Sequence, residues 1–145
     1  MTPKAALKHY FGYTEFKAGQ KKVIDLLLEH KNTLALLPTG GGKSLCYQIP
    51  ALLEDGLTLV ISPLISLMKD QVDSLQQNGI PAAFINSSQE FETAKAVLTR
   101  ARRHELKLLY IAPERLENQF FLELLQTLPV SLVAVDEAHC ISQWG

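Results

Sequence analysis

Cysteine is scarce in this sequence. Its two cysteines, Cys46 and Cys140, stand far apart and form no CxxC pair. This disfavours a disulfide scaffold and a cysteine-rich zinc site, and it favours a reducing compartment inside the cell, the cytoplasm or, in a eukaryote, the nucleus. Long apolar runs are also lacking: none approaches the ~20 residues that a membrane-spanning helix needs. The beginning MTPKAALKHY has no apolar core of a signal peptide. We therefore expect no membrane partner.

An excess of charge of one sign is missing as well. The 14 lysines and arginines are balanced by 15 aspartates and glutamates, which gives a net charge of −1. This balance disfavours a protein held on DNA or on a membrane by bulk positive charge, so any nucleic-acid site must be a local patch. Hydrophobic residues make up 47% of the 145 positions, which is enough for the core of one globular domain.

Short apolar segments that contain β-branched residues alternate with longer segments of helical periodicity. The apolar segments predict buried strands at 33–37, 57–62, 82–85, 107–112 and 132–135. The periodicity predicts helices from Gly42, over 64–77, from the capping-box pattern Ser87-x-x-Glu90 and over 116–128, and two more within residues 2–30, split by Phe11-Gly12-Tyr13. The alternation predicts a mostly parallel sheet with right-handed crossovers and a ligand site beyond the carboxyl ends of its strands.

A glycine-rich segment follows the first predicted strand. It consists of Thr39, Gly40, Gly41, Gly42, Lys43 and Ser44, and matches the short TGxGK[ST] pattern, since Leu37 stands where the longer GxxxxGK[ST] pattern has glycine. Glycines let backbone N–H groups approach a phosphate, and a following helix adds its positive N-terminal end. Lys43 would then reach the β- and γ-phosphates of a nucleotide, and the Ser44 hydroxyl would bind Mg²⁺. The alternative is a glycine-rich turn with a solvated lysine, but the predicted strand before it and helix after it favour the phosphate site.

Acidic residues follow the last predicted strand. Asp136, Glu137 and His139 come directly after the apolar run 132–135. Two carboxylates at the end of a buried strand are costly unless a cation lies nearby, and with the glycine-rich segment that cation would be nucleotide-bound Mg²⁺. Asp136 would hold the ion through water, Glu137 would orient and deprotonate an attacking water, and His139 would face the γ-phosphate. The alternative is a surface turn with two solvated acids.

Several long strings resemble the RecQ-type DNA helicases of superfamily 2. They are PTGGGKSLCYQIPAL from Pro38, ISPLISLMKDQVD from Ile61, YIAPERL from Tyr110, VDEAHCISQWG from Val135 and the leading segment FGYTEFKAGQ from Phe11. They occur in the family's order, and the resemblance covers nearly the whole chain. The tetrapeptide DEAH also occurs in RNA helicases, so the CISQWG that follows it carries the resemblance to RecQ.

The resemblance implies an adenine site near the N-terminus. Gln20 would read the adenine edge, because a carboxamide can bond N6 and N7 together. Tyr13 and Lys17 would sandwich the base, although the residues alone favour Tyr13 as an ordinary packing aromatic. The family usually has arginine where this chain has Lys17, followed by proline where it has Ala18. Lysine lacks the planar guanidinium, so we expect weaker stacking and a lower nucleotide affinity.

The resemblance also implies a track for DNA. Ser62, Pro63 and Arg115 would follow the backbone of a single strand, while Gln143 and Trp144 would begin an aromatic-rich loop that couples DNA binding to hydrolysis. The alternatives are that Pro63 only ends a strand, that Arg115 pairs with its neighbour Glu114 on the surface, and that Trp144 belongs to the core.

Together these observations predict a RecA-like α/β fold, with a helical adenine-recognition segment at 1–30 and a first RecA-like ATP-binding domain at 31–145. The resemblance implies an ATP-dependent DNA helicase of 3′-to-5′ polarity, acting in recombination and repair with ATP, Mg²⁺ and a second RecA-like lobe. That lobe and its arginine fingers are not in this sequence. We therefore expect an N-terminal fragment that binds Mg·ATP weakly and does not unwind DNA alone. A non-catalytic nucleotide- or DNA-binding module, or an RNA helicase lobe, are the alternatives.

Overall fold

The computed structural model describes residues 1–29, 44–62, 65–86 and 89–135. They belong to two compact units, Met1–Asp55 and Gly56–Gly145. The boundary after residue 30 that the sequence analysis places between two segments stays a prediction.

The first unit begins with two helical segments. Helix α1 (Pro3–Ala6) has proline at its first position and continues as a π-helical turn, Leu7–Phe11. That turn ends at Gly12, whose φ of +80° is a left-handed conformation that glycine adopts without a steric penalty. Helix α2 (Gln20–Leu28) follows. The predicted pair of N-terminal helices, split at Phe11-Gly12-Tyr13, is confirmed.

A small apolar cluster holds the first unit together. It joins α1, the turn after it, α2 and a third helix, α3 (Leu45–Leu53), through four residues that are fully buried: Ala6, Leu7, Ile24 and Ile49. Burying such side chains contributes roughly 1.5–3 kcal/mol each for leucine and isoleucine. Helix α3 corresponds to the helix predicted from Gly42, although Gly42 itself lies outside the described residues.

The second unit contains a parallel sheet. Its described strands are β1 (Leu57–Ile61), β2 (Ala82–Ile85), β3 (Leu108–Ile111) and β4 (Val130–Val135). They lie in the order β2-β3-β1-β4, and each neighbouring pair is parallel. The predicted α/β fold with a parallel sheet is therefore confirmed. The strand predicted at 33–37 lies outside the described residues.

Helices connect these strands, as parallel pairing requires. They are α4 (Ile65–Gln77), α5 (Phe91–Arg102) and α6 (Gln119–Leu125), the last preceded by a 3₁₀ turn, Pro113–Glu117. Strand residues such as Leu109 and Ile111 pack with α5 and α6 residues such as Leu98 and Phe121 in one buried cluster. The core of this unit therefore lies between the sheet and these helices.

Two helix starts differ from the sequence-based expectation. Helix α5 begins at Phe91 with Glu90 as its N-cap, so Glu90 does not stand inside the helix as the capping-box pattern requires. The helix predicted over 116–128 is divided, because Asn118 has an extended backbone and its side chain accepts a hydrogen bond of 3.1 Å from the N–H of Phe121. Asparagine is a preferred N-cap, so the new helix starts there.

Strand β4 is less buried than its apolar sequence predicts. Its residues alternate between half-buried and exposed, and Val133 and Val135 are 53% and 49% exposed. Strand β4 lies at one end of the strand order, so within the described chain it has a neighbouring strand on one side only. Across the described residues, no helix is long and apolar enough to cross a membrane.

Candidate nucleotide and nucleic-acid site

The three residues predicted to recognise adenine lie in a short loop between Gly12 and α2, which carries Tyr13 and Lys17, and at the start of α2, which is Gln20. Gln20 is the first residue of α2 and is only 1% exposed. Its side-chain Oε1 accepts a hydrogen bond of 2.7 Å from the backbone N–H of Lys17. Gly19, with φ +85°, makes the tight turn that brings the two together. The buried carboxamide of Gln20 therefore fixes the end of the loop, at Lys17, to the start of α2.

Tyr13 and Lys17 lie on the outer side of this loop. Tyr13 is 59% exposed and Lys17 is exposed too. The alternative of Tyr13 as a packing aromatic does not match this exposure. An accessible aromatic ring and an accessible cation in one loop are the groups that a base sandwich needs, and the sandwich itself stays a prediction.

Of the predicted phosphate-binding segment 39–44, the structure describes Ser44, at the start of α3. Ser44 is the N-cap of α3, and its carbonyl accepts the N–H of Gln48 at 3.0 Å. The side chain of Ser44 makes no capping hydrogen bond within the described chain. Serine at an N-cap usually bonds the helix with its hydroxyl, so here the hydroxyl is not used for that purpose. The role of Ser44 as a Mg²⁺ ligand stays a prediction.

Cys46 lies in the first turn of α3 and is 5% exposed. Burial disfavours the thiolate and raises the pKa of the Cys46 thiol to about 11, although a hydrogen bond to its own backbone acts in the opposite direction. A thiol with so high a pKa is a poor nucleophile at neutral pH, so Cys46 is structural.

The carboxyl ends of three strands are joined by backbone hydrogen bonds. The N–H of Ser62, which follows β1, donates to the carbonyl of Ile111 at 3.1 Å, and the N–H of Ala112 donates to Ile85 at 3.0 Å. Ser62 is 2% exposed. The predicted DNA-contacting residue Ser62 is thus buried at the carboxyl edge of the sheet, with its backbone bonded to the end of β3.

Arg115 lies at the same edge and is bonded to the segment that follows β2. Its Nε donates to the carbonyl of Asn86 at 3.0 Å, and its Nη2 donates to the carbonyl of Gln89 at 2.9 Å. The guanidinium carbon lies 6.0 Å from the centre of the Phe121 ring. Within the described chain no ion pair joins Arg115 to Glu114, so the surface-pair alternative is not what the structure shows.

The sequence analysis did not identify Asn86 and Gln89 as partners in this site. The Oε1 atom of Gln89 accepts the N–H of Asn86 at 3.2 Å, and its Nε2 donates to the carbonyl of Phe84 at 3.1 Å. These bonds hold residues 86 and 89 outside the helix, which explains why α5 starts at Phe91. The available signal was Asn86 directly after an apolar strand, where an amide side chain often organises a turn.

Most other predicted site residues lie outside the described residues. These are Thr39, Gly40, Gly41, Gly42, Lys43, Pro63, Asp136, Glu137, His139, Gln143 and Trp144. Their roles stay predictions. Among the residues that the structure does describe, no group of three histidine, cysteine, aspartate or glutamate side chains could hold a metal ion.

Comparison with known families decides the class of the chain. A family model described as DEAD/DEAH box helicase matches residues 17–145. The chain belongs to the DEAD/DEAH box helicase family. The match includes Lys17, Gln20 and Arg115, so the start of α2 and the edge of the sheet lie within the helicase domain, while Tyr13 precedes the matched residues.

This helicase chain is similar to several curated helicases. It is 55% identical over 143 residues to the ATP-dependent DNA helicase RecQ of Bacillus subtilis, which covers 98% of this chain and 24% of that protein. It is 57% identical over 135 residues to the ATP-dependent DNA helicase RecQ of Pasteurella multocida, with 93% and 21% covered. The resemblance to RecQ is confirmed, and the chain spans about a quarter of the length of these relatives.

Solved helicase structures share the fold. A hypothetical ATP-dependent RNA helicase from Sulfolobus tokodaii matches with a TM-score of 0.75 and 24% identity, over 99% of this chain and 43% of that one. The DUF1998 helicase MrfA bound to DNA and AMPPNP matches with a TM-score of 0.78 and 20% identity, over 95% and 21%. At these identities the matches show the RecA-like helicase fold alone.

Proposed function

We propose that this DEAD/DEAH box helicase chain is the first motor lobe of a RecQ-type DNA helicase of 3′-to-5′ polarity, acting inside the cell in DNA recombination and repair. One observation carries the proposal: the identity of 55% over 143 residues to a protein named ATP-dependent DNA helicase RecQ. Identity at that level over nearly the whole chain supports the same chemistry for the lobe. Unwinding itself is assigned to a polypeptide with two lobes.

ATP would bind with its base at the loop before α2 and its phosphates at the start of α3. The exposed side chains of Tyr13 and Lys17 support the first contact, and Gln20, whose Oε1 accepts the N–H of Lys17, holds the loop that carries Lys17. The Ser44 hydroxyl, which makes no capping hydrogen bond within the described residues, supports the second. In this proposal the backbone N–H groups of residues 39–43 and the Lys43 ammonium hold the phosphates.

Mg²⁺, when bound, neutralises charge on the β- and γ-phosphates. Ser44 and Asp136 are the residues that would hold it, since a hydroxyl and a carboxylate supply the oxygen ligands that this ion prefers. Glu137 would accept the proton of the attacking water, and His139 would hydrogen-bond near the γ-phosphate. The lobe would need arginine side chains from a second RecA-like lobe to complete the charge around the transferred phosphoryl group.

DNA would lie along the carboxyl edge of the sheet. In the sequence, Ser62 and Pro63 follow β1 and Arg115 follows β3. Gln143 and Trp144 come after the acidic segment. The net charge of −1 favours a local track of DNA contacts and disfavours a broad basic surface. A helicase of the same fold has been solved with DNA bound. We place the DNA of this protein at the same edge because parallel α/β sheets bind ligands there.

The test is nucleic-acid-stimulated ATP hydrolysis. It compares this chain with a longer polypeptide that also carries a second RecA-like lobe, each with single-stranded DNA, single-stranded RNA or neither. We expect DNA to stimulate the longer polypeptide and this chain alone to show weak nucleotide binding without unwinding. Stimulation by RNA alone would favour an RNA helicase, and the absence of any hydrolysis in either polypeptide would favour a non-catalytic binding module. The variant Lys43→Ala should hydrolyse no ATP, and retained activity would refute the proposed phosphate site.

A further inference from the structure

Both main-chain polar groups of Asn86 are held by side chains from elsewhere in the unit. Its N–H donates to Oε1 of Gln89 at 3.2 Å, and its carbonyl accepts Nε of Arg115, 29 residues further along the chain, at 3.0 Å. Asn86 is 5% exposed and directly follows β2. The end of β2 is therefore fixed from two sides.

The guanidinium of Arg115 is oriented by three contacts. Its Nε and Nη2 donate to two different carbonyls, those of Asn86 and Gln89, and its carbon lies 6.0 Å from the Phe121 ring centre. A planar guanidinium presents its donors in a fixed arrangement. Turning that arrangement toward a phosphate would break the bonds to the two carbonyls, which would then lie part-buried without these donors. The geometry therefore favours an internal role for this charge.

We propose that Arg115 is a positioning residue for nucleic-acid binding and does not itself neutralise a phosphate. Together with Gln89 and Asn86 it forms what we call the Arg115 clamp, which fixes the end of β2 to the turn Pro113–Glu117 that follows β3. This inference rests on the proposed function, because it assumes that DNA lies along this edge. It replaces the direct phosphate contact that the resemblance implies for Arg115.

The Arg115 clamp raises the affinity for DNA because it keeps the segment after β2 ordered before DNA binds. A single strand of DNA that lies across several strand ends makes its contacts only when those ends keep fixed relative positions. Without the clamp, the segment after β2 samples other conformations, and DNA binding then includes the entropic cost of ordering it again. The loss should therefore appear in the DNA affinity, with no change in the number of phosphates neutralised.

The test uses Arg115→Gln and Arg115→Lys in the two-lobed protein, with Arg103→Gln as the matched control. Arg103 is an exposed arginine directly after α5, so its replacement by glutamine makes the same change in charge. The first measurement is the DNA concentration that gives half-maximal stimulation of ATP hydrolysis, over a series of salt concentrations. The second is the rate of amide hydrogen exchange at Asn86.

If Arg115 is a positioning residue, both of its variants raise the half-maximal DNA concentration about ten-fold. The rate of ATP hydrolysis at saturating DNA falls by a smaller factor. Lysine fails to rescue because one ammonium cannot bond both carbonyls in the fork geometry. The dependence of affinity on salt keeps its wild-type slope, and the Asn86 amide exchanges about ten-fold faster or more. The Arg103→Gln variant retains the wild-type half-maximal DNA concentration and exchange rate.

Three results would overturn the inference alone. A salt slope reduced by about 0.7 in Arg115→Gln and restored in Arg115→Lys means a direct phosphate contact. Faster exchange at Asn86 with an unchanged half-maximal DNA concentration means a structural role only. If Arg115→Gln does not fold, Gln89→Ala decides, because it removes the side-chain bond of Gln89 to the Asn86 N–H, and that to the Phe84 carbonyl, without a change in charge. An unchanged half-maximal DNA concentration in that variant refutes the clamp. A wild-type protein that DNA does not stimulate would refute the proposed function as well.

Discussion

The side-chain Oε1 of Gln20 lies 2.7 Å from the backbone nitrogen of Lys17 and accepts its N–H. One residue thus links two parts of the proposed adenine site. Its carboxamide is the group assigned to the base edge, and the same carboxamide fixes the loop that presents Lys17 to the base. Base recognition and loop geometry therefore depend on a single buried side chain, and they should fail together.

The variant Gln20→Ala tests this link. We expect its affinity for ATP to fall about ten-fold or more, because it loses both the base contact and the closure of the loop. Its preference for ATP over GTP should also disappear, since the carboxamide distinguishes the two purine edges. The measurement is competition between the two nucleotides for binding. Lys21→Ala is the matched control, because Lys21 is the next residue and pairs with Asp25 on the surface, at 2.9 Å. An unchanged ATP-to-GTP ratio in Gln20→Ala would remove Gln20 from the site.

Lys17→Arg should tighten nucleotide binding. An arginine guanidinium stacks on a base over its whole plane, which is worth about 0.5–1 kcal/mol at an exposed site and corresponds to an affinity gain of roughly two- to five-fold. Titration with an adenine nucleotide measures the gain, and Lys22→Arg, an exposed neighbour within α2, is the control. Equal affinity of wild type and Lys17→Arg would indicate that residue 17 does not stack on the base.

The Cys46 thiol predicts a pH dependence of stability. Its pKa is about 11 in the folded chain, against 9.0 for an unperturbed cysteine, which represents the unfolded chain. Below pH 9 the thiol is protonated in both states and contributes no pH dependence. As pH rises from 9 to 11, the unfolded state loses the proton first and is stabilised, so the folded state loses on the order of 2 kcal/mol. Urea unfolding of wild type and Cys46→Ala at pH 8 and pH 11 measures the difference. Parallel losses in the two proteins would show that this thiol does not contribute.

Two glycines separate the effect of backbone conformation from the effect of a close contact. Gly56 has φ +98°, and a Cβ there would lie 2.8 Å from the carbonyl oxygen of Pro129. Gly79 has a similar φ of +81°, but a Cβ there would meet no atom within 4 Å. We expect Gly79→Ala to destabilise the chain by about 1 kcal/mol, the cost of a left-handed alanine. Gly56→Ala should cost clearly more, about 2–4 kcal/mol, because a strand must also move. Chemical denaturation of both variants gives the comparison, and equal losses would mean that the contact with Pro129 relaxes freely.

Periodicity predicted most elements of the second unit. The strands at 82–85 and near 57–61 and 108–111 stand where their apolar residues predicted them, because a strand buried on both faces needs an uninterrupted apolar run. Helix α4 ends just before Asn78-Gly79, as predicted from the glycine. The start of α5 was not predictable in the same way, because Asn86 and Gln89, which precede the helix, are held by Arg115 from a distant part of the sequence.

For the candidate site, too, the sequence indicated some features and only the tertiary structure decided others. The sequence alone indicated a phosphate-binding segment, an acidic strand end and, through the resemblance, Gln20 and Arg115 as functional residues, because these chemistries need particular residue types at fixed local spacings. The tertiary structure decided what two of them contact. Gln20 turned inward to close its loop, and Arg115 donates to two carbonyls beyond β2. The partner of Gln20 is local, three residues away along the chain. The partners of Arg115 depend on which strands become neighbours, and strand order is set by packing across the whole sheet and not by local sequence.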